Sequence, residues 1–344
     1  MRVLITAVQT PFIDGGANFL VKSLYREMKK RKIDVEVAQF VFKYFPNSDI
    51  MKNIDAWLAQ DFTQINGITI DKVVALQFPT YYLKHPNKTL WLMHQHRAVY
   101  DLYDSKTATD DLKELKDTIT KLDYLHLKNI DNKFTISKNV SQRLVKYNCI
   151  NSIPLYHPPY EEEKFYTDKS EDFIFLPSRL EKLKRQDLLI EAMSFTKSPL
   201  KAIIAGEGSH FKIYKELIER LNLGHKVKLI GKVTQEEKFN YYANALAVAY
   251  PPLDEDYGYV TLEAMLSSKP IITCHDSGGV LEFVYDGLNG FVVAPDPQAI
   301  AQKIDYLYHN KNRAKQMGKN ALEVYQQKNI SWDNVIEKLL GEKY

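Results

Sequence analysis

The sequence predicts an α/β fold made of two Rossmann-like, doubly wound parallel-sheet domains that face a central cleft. Three observations carry that prediction. Short apolar runs alternate with longer amphipathic stretches, the pattern of strands joined by crossover helices. The alternation breaks once, at residues 151–171 (NSIPLYHPPYEEEKFYTDKSE), and then restarts. The chain has 344 residues, more than a single core of roughly 250–300 residues supports.

In the first half, Met1–Val8 reads as a strand and Ala17–Lys32 as a helix with Phe19, Leu20, Leu24 and Met28 on its apolar face. Val35–Phe40, Asp71–Leu76 and Leu90–Met93 follow as strands, then Asp111–Leu127 as a polar helix, Lys133–Ser137 as a strand and Lys138–Tyr147 as a helix. The proline-rich, charged stretch 151–171 ends no periodic element and reads as an interdomain linker. The second alternation begins at Phe173–Leu176. It continues through Lys201–Ala205, Val227–Ile230, Ala245–Tyr250, Pro270–Thr273 and Gly290–Val293, with helices starting near Arg185, His210, Gln235, Tyr259 and Gly279. Ser331–Leu340 is a last amphipathic segment. The expected domains are 1–165, joined by 331–344, and 166–330.

Composition narrows the class. Apolar residues are 45% and charged residues 26%, as in ordinary globular proteins. With 46 basic and 43 acidic residues the net charge is +3, which gives no case for nucleic acid as a partner. No apolar run approaches the roughly 18 residues that span a bilayer, and the first residues read as a buried strand without a secretory cleavage pattern. Cys149 and Cys274 are far apart and form no CxxC pair, so a reduced, cytoplasmic protein is expected.

In parallel sheets ligands gather beyond the C-terminal ends of strands, so the strand-to-helix loops are where chemistry is sought. Arg179 follows the run FIFL, and Lys184 precedes a helix; a guanidinium and an ammonium at a helix start suit a diphosphate, or else form a solvated basic loop. AGEGSH and LIGKVTQEE place glycines at two further strand ends, Gly231 being followed by Lys232 and Val233. DEDYGYVTLEA runs from loop into helix. It offers the amides of Gly258, Tyr259, Val260 and Thr261 to phosphate oxygens, with Glu255 before the helix and Glu263 one turn inside it. Asp254-Glu255-Asp256 also spells DxD, which can hold a divalent ion, but the helix start supplies phosphate donors without one, and no metal or cofactor is expected. In the first half, Gly15-Gly16 lies between the first strand and helix, and His94 ends an apolar strand in the cluster HQHR.

Taken in order, these pieces resemble the retaining family-4 glycosyltransferases of the GT-B fold. They include Gly15-Gly16, His94, FTISKNVSQRLVKY, LYHPPYEEEKF, SRLEKLKRQDLLIEA, IIAGEG, VKLIGKV, EDYGYVTLEAM and SGGVLEFVYDGLNGFVV. The Glu-x7-Glu stretch is the most specific. The resemblance implies that Arg179 and Lys184 hold the diphosphate of a nucleotide-sugar donor, Glu263 the ribose, and Glu255 the sugar hydroxyls. It further implies that Tyr259–Thr261 amides bind phosphate, Gly231–Val233 border the base, Gly16 leaves room for the donor, and His94 lines the sugar. Asp256 and Tyr259 depart from the small and aliphatic residues common there, which bears on donor identity.

The implied function is transfer of a hexose, from UDP-sugar above others, to a hydroxyl acceptor such as a growing or lipid-linked polysaccharide, with retention. An epimerase or phosphorylase of similar fold, or a non-catalytic sugar-binding subunit, is the alternative. Lys29-Lys30-Arg31-Lys32 closes the first helix. It suits peripheral contact with an anionic membrane and equally the negative end of the helix dipole.

Overall fold

The computed structural model describes residues 1–12 and 15–341. Ile13, Asp14 and the last three residues of the expected 331–344 segment lie outside the described residues. The chain divides into two compact units, Met1–Tyr160 with Ser331–Tyr344, and Glu161–Ile330.

The first unit alternates strands and helices in chain order: β1 (Arg2–Gln9), α1 (Gly16–Lys30), β2 (Asp34–Val41), α2 (Asn47–Leu58), a small hairpin of β3 (Gln64–Ile65) and β4 (Ile68–Thr69), β5 (Lys72–Ala75), β6 (Lys88–Leu92), α3 (Asp110–Leu127), β7 (Asn132–Thr135), α4 (Lys138–Asn148) and β8 (Ile153–Pro154). Its sheet has the order β2-β1-β5-β6-β7-β8, with every neighbour parallel. Central strands read as continuous apolar runs because helices cover both faces. Thus Val3, Leu4, Ile5, Val73, Val74, Leu90, Trp91 and Leu92 are all buried. On α1, Leu20, Leu24 and Met28 recur every fourth position and face the core. Side-chain caps start α3 and α4: Thr109 accepts the Leu112 N–H and Ser137 that of Val140.

The second unit contains β9 (Phe173–Pro177), α5 (Gln186–Phe195), β10 (Lys201–Ala205), α6 (Phe211–Arg220), β11 (Val227–Gly231), α7 (Gln235–Asn244), β12 (Ala247–Ala249), α8 (Tyr259–Leu266), β13 (Ile271–Cys274), β14 (Gly290–Val293), α9 (Pro297–His309) and α10 (Lys311–Gln327). Its sheet is again parallel, in the order β11-β10-β9-β12-β13-β14. Ile174, Leu176, Leu189, Ile190, Met193 and Ile204 form the heart of its core. A Thr234–Glu237 capping box starts α7.

The last helix, α11 (Trp332–Leu340), packs on the first unit. Trp332 meets Trp91 edge-on at 6.4 Å, and Lys72 Nζ and Thr89 Oγ1 donate to the Leu340 and Leu339 carbonyls at 3.1 and 3.3 Å.

Four sequence expectations change. The units divide between Tyr160 and Glu161, earlier than residue 165, because Phe165 packs edge-on against Phe239 and Tyr242 of the second unit. Residues 151–171 are not all linker: Ile153–Pro154 adds the edge strand β8, which pairs in parallel with β7. The segment starting at Gly279 is one short 3₁₀ turn, Gly279–Glu282, and no helix. Finally α2, α9 and α10 were not anticipated.

Each sheet has one switch point, where the chain leaves one side of its first strand and resumes on the other. In the second sheet it falls between β9 and β12, and in the first between β1 and β5. Ligands in open parallel sheets bind at such crevices, beyond the strands' carboxyl ends.

Candidate active site

The loops that leave β9 and β12, on either side of the second sheet's switch point, carry Arg179, Lys184 and Glu255. Arg179 is exposed just past the end of β9, and its backbone carbonyl is held at 2.8 Å by Gln186 Nε2. Lys184 ends a 3₁₀ turn, Lys182–Lys184, directly before α5. Its ammonium pairs with Glu255 Oε2, lies 3.3 Å from the Tyr250 hydroxyl and sits over the Tyr250 ring. Tyr250 also donates to Glu255 Oε2 at 2.9 Å. Burial, reinforced by the Glu255 charge, raises the Tyr250 pKa well above the ordinary phenol value, so this hydroxyl stays a donor. The result is a cation, a carboxylate and a phenol converging where β12 ends.

Backbone bonds fix the Glu255 segment. Its N–H donates to the Ser277 carbonyl at 3.3 Å and its carbonyl accepts from Gly279 N–H at 2.7 Å. Gly279 permits this approach, since a Cβ there would lie 2.6 Å from the Asp256 carbonyl oxygen. Gly258 caps α8 at φ +84°, and a Cβ there would crowd Val280 Cγ2 at 2.9 Å. The amide series expected at this helix start needs one correction. Thr261 N–H donates to the Gly258 carbonyl at 2.9 Å, because the first turn closes in the tighter i to i+3 manner. Its buried Oγ1 has no hydrogen-bond partner among the described residues. Tyr259 is half-buried beside Tyr257, and Val260 is buried.

Glu263 lies one turn into α8 and is buried. Lys238 Nζ reaches its Oε1 at 2.8 Å and the Tyr242 hydroxyl its Oε2 at 2.7 Å. Lys238 and Tyr242 stand four apart on α7, hence on one face. Burial, with the Glu263 charge adding, pushes the Tyr242 pKa well up and keeps its proton on. A carboxylate held this way keeps lone pairs to accept further hydroxyl donors. Gly231 ends β11 at φ +73°, with Lys232 exposed and Val233 half-buried after it.

Sequence reasoning missed Tyr250, Lys238, Tyr242, and the pair Arg185–Asp276. Arg185 Nη1 and Nη2 reach the two Asp276 oxygens at 2.8 and 2.6 Å. Hydrogen bonding to Arg185 holds the Asp276 carboxyl below its ordinary value. The spacing of Lys238 and Tyr242 was the one local signal for any of these.

The first unit's expected residues lie at other strand ends. Gly15 is the extended N-cap of α1 and Gly16 its first residue. His94 follows β6, half-buried, with Nδ1 2.8 Å from the Gln95 carbonyl. His96 is buried between Phe78 and Phe42, their ring centroids 5.1 and 6.4 Å away. Burial, with His94 adding, pushes its pKa down to about 4, so it is neutral at pH 7. Nearby, Asp123 is fully buried and accepts from the hydroxyls of Tyr81, Tyr82 and Tyr100 at 2.7, 2.6 and 2.5 Å. The basic end of α1 is paired within the unit: Lys29 with Glu36, Lys30 with Glu27, and Arg31 with Glu27 and Asp333.

Among the described residues no group of three or more His, Cys, Asp or Glu side chains is arranged to hold a metal ion. No described helix is long and apolar enough to cross a membrane.

Residues 160–324 match the family model described as glycosyl transferases group 1. An uncharacterized glycosyltransferase of Methanocaldococcus jannaschii is 24% identical, the alignment covering 98% of this chain and 96% of that one. Among solved structures, sucrose-phosphate synthase from Thermosynechococcus elongatus superposes with a TM-score of 0.80 at 18% identity, covering 99% of this chain and 98% of that one. HepE of Anabaena, in complex with UDP and glucose, superposes with a TM-score of 0.70 at 18% identity, with the same coverage. The two parallel six-stranded sheets are those of the GT-B glycosyltransferase fold.

Proposed function

We propose, from the match of residues 160–324 to the glycosyl transferases group 1 model, that the chain is a glycosyltransferase that moves a hexose from a UDP-sugar to a hydroxyl of a glycan, with retention of anomeric configuration. The observation that carries this reading is the convergence of Lys184, Glu255 and Tyr250 at the switch point of the second sheet, beside the start of α8. Cations and a helix start suit a diphosphate, and a carboxylate next to them suits sugar hydroxyls. Glu263, held by Lys238 and Tyr242, is assigned to the ribose. UDP is preferred because HepE, a structure of the same fold, holds that nucleotide.

In the reaction the anomeric C–O bond to the diphosphate breaks and its electron pair stays on the phosphate oxygen. The acceptor hydroxyl oxygen bonds to the anomeric carbon on the same face, and its proton passes to the leaving diphosphate. Arg179, Lys184 and the α8 start meet the negative charge where it grows, which lowers the barrier. Lys184 is paired with Glu255 before donor arrives, so its ammonium is oriented in advance. The acceptor is assigned to the first unit, with Gly16 and His94 nearest the sugar and a lipid-linked glycan as the acceptor class. No metal is assigned a part.

Thermal shift with a panel of UDP-, GDP- and ADP-sugars tests the donor, and transfer assays of Arg179→Ala and Lys184→Ala test the clamp. Stabilisation by a UDP-sugar that both substitutions abolish is expected. Full transfer and unchanged donor affinity in either variant would remove the assignment. Activity lost in EDTA and restored by Mn2+ would bring the DxD reading back.

A further inference from the structure

The guanidinium that makes the most contacts at the second sheet's switch point belongs to Arg185, a residue with no part in the chemistry above. Its backbone is left-handed, at φ +50°, where glycine fits freely and an L side chain carries strain. It is the N-cap of α5 but makes no side-chain capping bond. The side chain turns away from the helix instead. Nε donates to the Pro251 carbonyl at 2.7 Å, Nη2 to the Pro252 carbonyl at 2.8 Å, and Nη1 and Nη2 to the two oxygens of Asp276. One planar fork therefore joins three loops, those after β9, β12 and β13. A lysine's single ammonium has no such geometry.

The joined segments are the ones that carry Lys184 and Glu255. Leu253 N–H donates to the Leu183 carbonyl at 2.8 Å, and Asp254 N–H to the Asp276 carbonyl at 2.9 Å. Lys184 precedes Arg185 directly, and Glu255 follows the two prolines and Asp254. The separation of that cation from that carboxylate is thus set by the Arg185 fork and these two bonds.

We propose that Arg185 is the positioning residue of the donor site: it holds Lys184 and Glu255 in register before the donor arrives, and does not touch the donor itself. This rests on the donor reading of Lys184 and Glu255 given above.

The decisive variant is Arg185→Gly, because glycine suits the left-handed backbone and keeps the fold while the fork is lost. Transfer kinetics and thermal midpoints would be measured for Arg185→Gly, Arg185→Lys, Asp276→Asn, the Arg185→Gly/Asp276→Asn double variant and Lys184→Ala. Expected is a loss of ~10- to 100-fold in kcat/KM for Arg185→Gly, mostly in kcat, with a thermal midpoint near the parent's; misplacement by about 1 Å costs on the order of 100-fold. Arg185→Lys should recover little, and the double variant should be no worse than Arg185→Gly, since both changes remove one device. Methylguanidinium added to Arg185→Gly should restore part of kcat. Arg185→Gly with kcat/KM within twofold of the parent overturns the proposal, as does a loss explained wholly by its unfolded fraction. If Lys184→Ala also transfers like the parent, the donor reading itself has failed; if Lys184→Ala is inactive while Arg185→Gly is not, only the positioning role has.

Discussion

In the first unit His96 and Asp123 sit among aromatic rings; at the carboxyl ends of the second sheet Lys184 and Arg185 sit against opposite charges. His96 is packed between Phe42 and Phe78, and Asp123 is buried under three tyrosine hydroxyls. In the second unit Lys184 meets Glu255, Arg185 meets Asp276 and Lys238 meets Glu263. Both sheets are parallel and share a strand order of the same kind, so the difference belongs to the loops and helix faces, and the fold alone does not dictate it. Paired, partly buried charges can exchange a protein partner for a charged ligand. A neutral histidine in an aromatic wall offers shape and single hydrogen bonds. On the proposed function, the second unit suits the charged end of a donor, and the first a neutral, hydroxyl-rich group.

The contrast can be broken most directly with kinetics. Lys184→Ala should cut kcat/KM by about 100- to 1,000-fold, the usual cost of removing one preorganised donor to a developing charge, whereas His94→Ala should cost about tenfold. Equal losses, measured side by side, would erase the distinction.

Stability offers a second test. Glu263→Ala leaves the Lys238 ammonium, only 17% exposed, without its carboxylate. Breaking such a pair should cost ~3 kcal/mol, read from the denaturant midpoint, and should also weaken donor binding. A change below ~0.5 kcal/mol would show that this pair is held as loosely as a surface one.

The third test is pH. His96 is pushed down from 6.5 to about 4, so the folded state binds fewer protons than the unfolded one in that interval. Its contribution is complete above pH 6.5 and is lost as pH falls toward 4. His157, buried against Trp91 and Trp332 and pushed down to about 3, acts in the same direction. Asp123 acts oppositely: burial raises it from 3.8 to about 6, and its contribution grows as pH falls through that range. Denaturant midpoints at pH 7.5 and at pH 5 should therefore show a smaller acid loss in His96→Gln, by about 1–2 kcal/mol, and a larger one in Asp123→Asn. No change of slope in either variant would mean the aromatic walls do not set these protonation states.

The smallest effect is a control. Thr234→Ala removes the capping box of α7 and should cost ~1 kcal/mol with donor affinity unchanged. A loss of affinity would tie the whole of α7, beyond Lys238 and Tyr242, to the site.

Much of this arrangement was legible in the sequence, for a physical reason. Strands covered on both faces must be apolar throughout, so FIFL, KAIIA and ALAVAY announce themselves, and the loops after them are where a parallel sheet gathers its ligands. What escaped is equally instructive. Helix α2 carries Ile50, Ile54 and Trp57 on one buried face, but it starts at Asn47, inside FPNS, where proline, asparagine and serine equally suit a turn. Strand β8 is only Ile153–Pro154, and proline argues against a strand unless it lies at an edge, which is where β8 pairs. The partners of the expected site residues were the hardest to see. Arg185 and Asp276 are 91 positions apart, and Lys184 and Tyr250 are 66 apart; no local pattern links such pairs before the sheet brings their loops together.

Helix α11 has a consequence for how the chain is made. Its Trp332 completes an aromatic group with Trp91 and His157, and its last carbonyls accept from Lys72 and Thr89. The first unit is therefore finished by residues made after the whole of the second, while the second is one continuous stretch that can close earlier. The usual N-to-C order of domain completion is inverted here: the first unit lacks α11 until the second has been made.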